Sequence, residues 1–84
     1  MATSKIKVRL FSLSSYVKTA LKLAEYERDD DGMILAIVPG ASGFIAQGET
    51  HEEARASLEE VIEGNVLLAL RLGWEIPLIG SVSI

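Results

Sequence analysis

Residues 50–72 form the longest periodic segment of the sequence and predict a single long helix. Thr50 and Glu53 have the spacing of a capping box, in which the threonine hydroxyl accepts from the Glu53 N–H and the Glu53 carboxylate reaches back to the N–H of Thr50. Arg71 places a cation at the negative end of the helix dipole, and Gly73 can take the left-handed conformation that ends a helix. A helix of this length can cover a small sheet by itself.

The apolar residues of this helix predict two different surfaces. At about 100° per residue, one broad stripe is expected to face a sheet: Ala54, Leu58, Val61, Ile62, Leu68, Ala69 and Leu72. Val66, Leu67 and Leu70 point nearly opposite to that stripe. A surface helix of a monomer stays polar on its outer side, so we expect these three residues, with Trp74, to be buried between the chains of a homo-oligomer. The alternative is that the segment after Trp74 folds back over them.

Composition sets the size and the class of the protein. The 84 residues predict one domain, residues 1–84, with a small core. The absence of cysteine excludes disulfides and thiolate metal sites. Residues 1–5 lack the apolar core of a signal peptide, and no apolar run approaches the ~20 residues of a membrane span, so we expect a cytoplasmic protein with no membrane partner. Gly40 and Gly43 are not followed by the Gly-Lys-Ser/Thr of a phosphate loop, and no cofactor is expected.

The net charge of −4 bears on the choice of partner. Binding to a nucleic-acid backbone relies on lysine and arginine displacing counterions, so no direct contact with nucleic acid is expected. An acidic domain suits a basic protein better. The expected partner contacts are acidic side chains of a predicted hairpin and of the outer side of the long helix: Glu27, Asp29, Asp30, Asp31, Glu52, Glu59 and Glu63.

The N-terminal quarter predicts one strand and one short helix. Residues 5–11 alternate charged and apolar side chains, which is the pattern of a half-buried strand. Ser14 or Ser15 can cap a helix. Residues 16–23 then space their apolar side chains like a helix of about two turns.

The middle of the chain predicts a hairpin and a third strand. Asp29–Gly32 is a hairpin turn between the strand-like residues 25–28 and 33–38, and the second of these runs is apolar throughout, as in a central strand covered on both sides. Residues 44–47 predict a third strand, and residues 81–84 an edge strand. The expected fold is therefore α+β: a three-stranded antiparallel sheet, which edge strands could extend, packed by one long helix in the order β-β-β-α-β, with a short helix near the N-terminus.

Three blocks of sequence occur in a distinctive order: the hairpin of residues 26–39, the block Gly43-Phe-Ile-Ala-Gln-Gly-Glu-Thr-His-Glu-Glu-Ala54, and an apolar helix that ends at Gly73 before Ile76-Pro77. This order resembles the HicB-type antitoxin family over residues 16–80. The resemblance implies a β-β-β-α-β domain like a truncated ribonuclease H fold. It also implies that the chain binds and silences a small HicA-type toxin that cleaves RNA.

The sequence departs from that family in three places. The loop of residues 39–43 lacks a second proline, and Asn65 stands on the predicted core stripe where the family commonly has a bulky aromatic residue. Many members also carry a C-terminal DNA-binding module, which this sequence does not show, so no autorepressor role is expected. One alternative function is therefore an orphan structural dimerisation module that has no toxin.

A small metal-dependent nuclease is the other alternative. A ribonuclease H-type enzyme needs several carboxylates around two metal ions. The candidates are Glu25, Glu27 and Asp29–Asp31, but the three aspartates occupy a hairpin tip, where a solvated turn is their ordinary role. His51 is expected in an exposed first turn of the long helix. We therefore expect no catalytic residue, no metal site and no enzyme activity.

Overall fold

The chain contains two helices and three strands. The computed structural model describes the backbone of residues 2–77 and 79 and the side chains of residues 13–77 and 79. The elements follow one another as α1 (Ala2–Leu23), β1 (Glu25–Arg28), β2 (Ile34–Ile37), β3 (Ile45–Gly48) and α2 (His51–Leu72). The strands form an antiparallel sheet with β2 in the centre, on which α2 packs. The α+β class, the three-stranded antiparallel sheet and the long packing helix are confirmed.

The N-terminal quarter is a single helix. The prediction of a strand at residues 5–11 is wrong, because α1 runs through this segment from Ala2 to Leu23. No glycine or proline interrupts residues 2–23, so nothing stops a helix in residues 16–23 from extending towards the N-terminus. The predicted short helix therefore exists but is much longer than two turns. The expected edge strand at residues 81–84 lies outside the described residues.

The sheet has one covered face and one open face. Ile34, Ala36 and Val38 are buried in the same cluster as the inner side of α2. Because side chains alternate along a strand, Leu35 and Ile37 lie on the opposite face, where they are only half-buried. In the part of the chain that the structure describes, helix α1 packs against α2 and not on this second face. The prediction that the central strand is covered on both sides is therefore wrong, since an antiparallel sheet can leave one face to solvent.

The core is closed at one end by an aromatic pair. The ring of Tyr16 in α1 meets the ring of Phe44 edge to face, with centroids 6.3 Å apart. The Tyr16 hydroxyl also donates a hydrogen bond to the backbone carbonyl of Pro77. One buried side chain thus joins α1, the residue before β3 and the segment after α2.

Both ends of α2 follow the sequence prediction, with one difference. Thr50 Oγ1 accepts from the backbone N–H of Glu53 at 3.1 Å, and Gly73 closes the helix with a φ of 72°. The Glu53 carboxylate does not reach Thr50. It accepts instead from the N–H of Glu49 at 2.9 Å.

The buried stripe of α2 follows residues spaced mostly four apart: Ala54, Leu58, Ile62, Val66 and Ala69. Leu68 and Leu72, predicted to face the sheet, are 45% and 50% exposed, whereas Val66 is 1% exposed. Each step of four residues turns the stripe about 40° around the helix, because a contact along such a ridge is inclined to the helix axis. A straight projection of the whole helix hides this rotation. The predicted stripe is therefore wrong at Leu68 and Leu72, whereas Ala69 is buried as predicted.

Asn65 also lies elsewhere than predicted. Its side chain is exposed, and its amide nitrogen donates to the carbonyl oxygen of Val61 at 2.9 Å. The amide is thus satisfied one turn back along its own helix. The absence of a bulky aromatic residue at position 65 therefore does not alter the core.

Candidate protein-binding surfaces

The Gln-Gly-x-Thr-x-Glu-Glu-Ala block is the joint between β3 and α2. A Cβ atom on Gly48 would lie 2.5 Å from the backbone nitrogen of Ala54, a distance that real Cβ atoms do not show. Ala54 itself is fully buried. Thr50 and Glu53, which lie between Gly48 and Ala54 in the sequence, accept the two capping hydrogen bonds at the start of α2. The block therefore sets the position of α2 on the sheet, and its conspicuous residues serve the fold.

The tip of the β1–β2 hairpin is built by Asp29. Its Oδ1 atom accepts from the backbone N–H groups of Asp31 and Met33, both at 2.9 Å. Gly32 completes the turn with a φ of 84°. The carboxylate of Asp29 is thus engaged in the turn, whereas Asp30 and Asp31 are exposed.

The open side of the sheet, here called the outer sheet face, consists of residues from all three strands: Glu25, Glu27, Leu35, Ile37, Ile45 and Gln47. Strand register places Ile37 between Glu25 and Ile45. Leu35 lies between Glu27 and Gln47 in the same way. Ile45 is 50% exposed. The outer sheet face therefore has an apolar centre with two carboxylates along its β1 edge.

The predicted acidic contacts fall into two groups on opposite sides of the molecule. Glu27 lies on the outer sheet face, and Asp30 and Asp31 lie at the adjoining hairpin tip. The others belong to α2, which packs on the covered face: Glu52, Glu59 and Glu63. One partner docked on the sheet would therefore meet the first group without touching the second.

The acids of α2 are partly balanced by neighbouring cations. Glu59 and Glu63 line a groove of about 380 Å³ between the two helices, together with Lys18 and Arg55. Glu52 is exposed in the first turn, where its charge suits the positive end of the helix dipole. These positions are less suited to a basic partner than the β1 edge.

The predicted oligomer interface is divided by the structure. Val66 belongs to the core of its own chain, so its assignment to an interface between chains is wrong. Leu70 is partly buried and packs against the same core. Leu67 and Trp74 remain on the surface, 49% and 61% exposed. Residues 74–77 therefore do not fold back over these two side chains.

The carboxylates do not converge into a metal cluster in the part of the chain that the structure describes. No group of three His, Asp or Glu side chains there could hold a metal ion. The exposed His51 has its ring centroid 5.5 Å from that of Tyr26. Among the same residues, no helix is both long enough and apolar enough to cross a membrane.

Two features of these surfaces escape the sequence analysis. The first is the apolar centre of the outer sheet face, formed by Leu35, Ile37 and Ile45. The second is Gly64, which is exposed in the middle of α2. The sequence does contain a signal for the open sheet face: Glu25 and Glu27 are two residues apart in one strand, which indicates that one face of the hairpin is solvated.

These observations define a small α+β domain with a three-stranded sheet that is open on one face. The sequence model of the UPF0150-like family matches residues 15–77, and the chain belongs to that family. The crystal structure of TTHA0281 from Thermus thermophilus is similar, with a TM-score of 0.80 and 30% sequence identity over 87% of this chain and 91% of that chain. No curated protein matches the chain.

Proposed function

We propose that this chain is an antitoxin-like protein-binding domain of the HicB type. In this proposal the outer sheet face binds a small, basic, HicA-type toxin and prevents it from cleaving RNA. The main support is the outer sheet face itself, where apolar side chains lie open beside the carboxylates of β1. A resemblance to HicB-type antitoxins in the order of the sequence blocks agrees with this function.

The composition of the outer sheet face suits a protein partner. Specific interfaces commonly have an apolar centre and a polar rim. Leu35, Ile37 and Ile45 provide such a centre, whose burial contributes roughly 25 cal/mol per Å² of apolar surface. Ile45 is 50% exposed, and Leu35 and Ile37 are half-buried. All three therefore already reach the surface, and a partner can dock on them with little rearrangement of the sheet.

The carboxylates of β1 define the charge of that partner. A protein that cleaves RNA needs cationic side chains to hold phosphates. Glu25 and Glu27, with Asp30 at the hairpin tip, would attract that cationic surface and compete with RNA for it. Attraction of this kind mainly raises the association rate, and it falls with salt because the Debye length shortens to about 8 Å at 0.15 M.

Binding can be measured by calorimetry with a purified HicA-type toxin. We expect a complex whose affinity falls as salt rises. The double change Glu25→Lys and Glu27→Lys should weaken it about tenfold or more, as expected for reversing two charges at an interface. Ile37→Ser should weaken it through the apolar centre, with the circular dichroism spectrum unchanged.

A control on the other side of the molecule separates docking from general charge effects. Glu60→Arg also replaces a negative side chain with a positive one, but on the outward side of α2. It should leave toxin binding unchanged. Absence of any complex at low salt would contradict the proposal. Equal loss of binding in Glu60→Arg and in the β1 variants would contradict the assignment to the outer sheet face.

A further inference from the structure

The outward side of the second half of α2 carries a regular seam, here called the α2 seam: Glu60, Gly64, Leu67 and Arg71. Successive members are separated by four, three and four residues. This is the spacing with which one helix presents a continuous row to another helix in a coiled coil. All four residues are exposed in the described chain.

Gly64 is the most informative member of the α2 seam. A Cβ atom at this position would meet nothing within 4 Å, so packing inside the chain does not require glycine here. Glycine in the middle of a helix is less stable than alanine because it loses more backbone freedom on folding. Gly64 lowers the stability of the helix and lies one turn from the exposed Leu67. Its missing side chain would allow the backbone of a second helix to approach closely.

We propose that two copies of this chain pair through the α2 seam, with their α2 helices antiparallel. If the two-fold axis passes between residues 65 and 66 of both helices, Leu67 of each copy faces Gly64 of the other. The missing Cβ then provides the hole into which the leucine packs. Because the same patch is used by both chains, each contact occurs twice and the assembly closes as a dimer.

The charges of the α2 seam complement each other in this register. The same two-fold axis places Arg71 of one copy opposite Glu60 of the other, at both ends of the contact. A parallel arrangement would instead set Glu60 against Glu60 and Arg71 against Arg71. The charges thus favour the antiparallel dimer and disfavour the parallel one.

Within residues 13–77, the neighbouring surfaces leave the α2 seam accessible. Val66 faces the core, and Glu59 and Glu63 line the groove towards α1. The covered sheet face lies on the inner side of α2. A second copy on the α2 seam would therefore touch neither the outer sheet face nor the part of α1 whose side chains are described, and a dimer could still bind a partner through each sheet.

A charge-swap experiment tests the register by analytical ultracentrifugation. We expect the wild-type chain to be a dimer at micromolar concentration. Glu60→Arg and Arg71→Glu should each raise the dissociation constant about tenfold or more, because both ends of the contact become repulsive. The double variant should restore dimerisation, since the opposite charges meet again with their positions exchanged.

Gly64→Ala adds a test in which stability and association change in opposite directions. The alanine should raise the melting temperature of the dilute monomer by a few degrees, because it favours the helix. It should also weaken the dimer, because its methyl group occupies the space that Leu67 needs. Loss of the dimer by misfolding would lower the melting temperature instead, so the two causes are distinguished.

Glu27→Arg serves as the matched control, since it makes the same charge change on the outer sheet face. It should leave the dissociation constant of the dimer unchanged. A wild-type monomer at micromolar concentration would overturn the proposal. So would a dimer that Gly64→Ala leaves intact, or one that the charge-swapped double variant fails to restore. None of these results depends on the toxin, so dimerisation and toxin binding are tested separately.

Discussion

Gly48 and Ala54 hold β3 and α2 so close together that a Cβ atom on Gly48 would lie 2.5 Å from the Ala54 nitrogen. The neighbouring atoms belong to the backbone and to the base of the Glu53 side chain, so they cannot move aside without shifting the helix. The contact thus fixes where α2 begins to cross the sheet. The outer sheet face and the α2 seam lie on opposite sides of this joint.

Gly48→Ala should therefore destabilise the fold. Overpacking at a tight contact typically costs about 1–3 kcal/mol, and the backbone neighbours place this site at the upper end. Urea denaturation of the dilute monomer gives the change in the free energy of unfolding. Gly64→Ala is the matched control, because the same substitution there meets open space and should stabilise the helix by up to about 1 kcal/mol. Equal effects of the two substitutions would contradict the packing argument.

Tyr16→Phe should lower stability through the lost hydrogen bond to Pro77. The ring of Tyr16 is fully buried, so the substitution keeps the packing against Phe44 and removes only the hydroxyl. A hydrogen bond of this kind contributes about 0.5–1.5 kcal/mol net. Thermal denaturation near neutral pH measures the effect. An unchanged melting temperature would show that the hydrogen bond between the Tyr16 hydroxyl and Pro77 does not stabilise the fold.

The same tyrosine should make stability depend on alkaline pH. Burial raises the pKa of Tyr16 above its ordinary value, because the charged phenolate is poorly solvated in the core. Its contribution to stability is therefore full below about pH 10 and falls as the pH rises above that value, since the unfolded phenol ionises first. Unfolding measured between neutral pH and about pH 11 should decline more steeply for the wild type than for Tyr16→Phe. Parallel declines would contradict this role.

The sequence predicts local structure well where short-range chemistry decides it. Thr50 and Gly73 mark the ends of α2, and Asp29–Gly32 marks the hairpin, because caps and turns are set by a few neighbouring atoms. The alternation of residues 5–11 misleads because nothing in the local sequence opposes a helix there. Whether such a segment is strand or helix depends on the partner against which it packs.

The surfaces are harder to predict than the elements that carry them. The apolar run of β2 fits a strand covered on both faces, and only the tertiary structure shows that Leu35 and Ile37 face outward. In α2 a helical-wheel projection assigns Val66 to the outer side, because the projection averages over the whole helix. The observed contact with the sheet rotates around the helix along its length. Gly64 carries no signal until its surroundings are known, since a helical glycine has many possible causes.

Val66→Ala and Leu67→Ala should separate the core from the α2 seam. Val66 is 1% exposed, so shortening its side chain leaves a cavity and should cost on the order of 2 kcal/mol of stability. Leu67 is 49% exposed, so its truncation should change the stability of the dilute monomer by only about 0.5 kcal/mol or less. Denaturation of both variants at the same low concentration checks this. A larger loss for Leu67→Ala would place it in the core and remove it from the seam.

The last prediction is that the chain does not cleave RNA in the presence of magnesium or manganese. A two-metal nuclease needs carboxylates that converge on ions about 3.5–4 Å apart. Glu25 and Glu27 instead project from one strand beside Ile37 and Leu35, and the Asp29 carboxylate is occupied by the backbone of its own turn. A fluorescent RNA incubated with protein and either metal should stay intact, and Asp30→Asn should not change any trace activity of a preparation. Metal-dependent cleavage that disappears in Glu25→Gln or Asp30→Asn would instead make the β1 edge an active site.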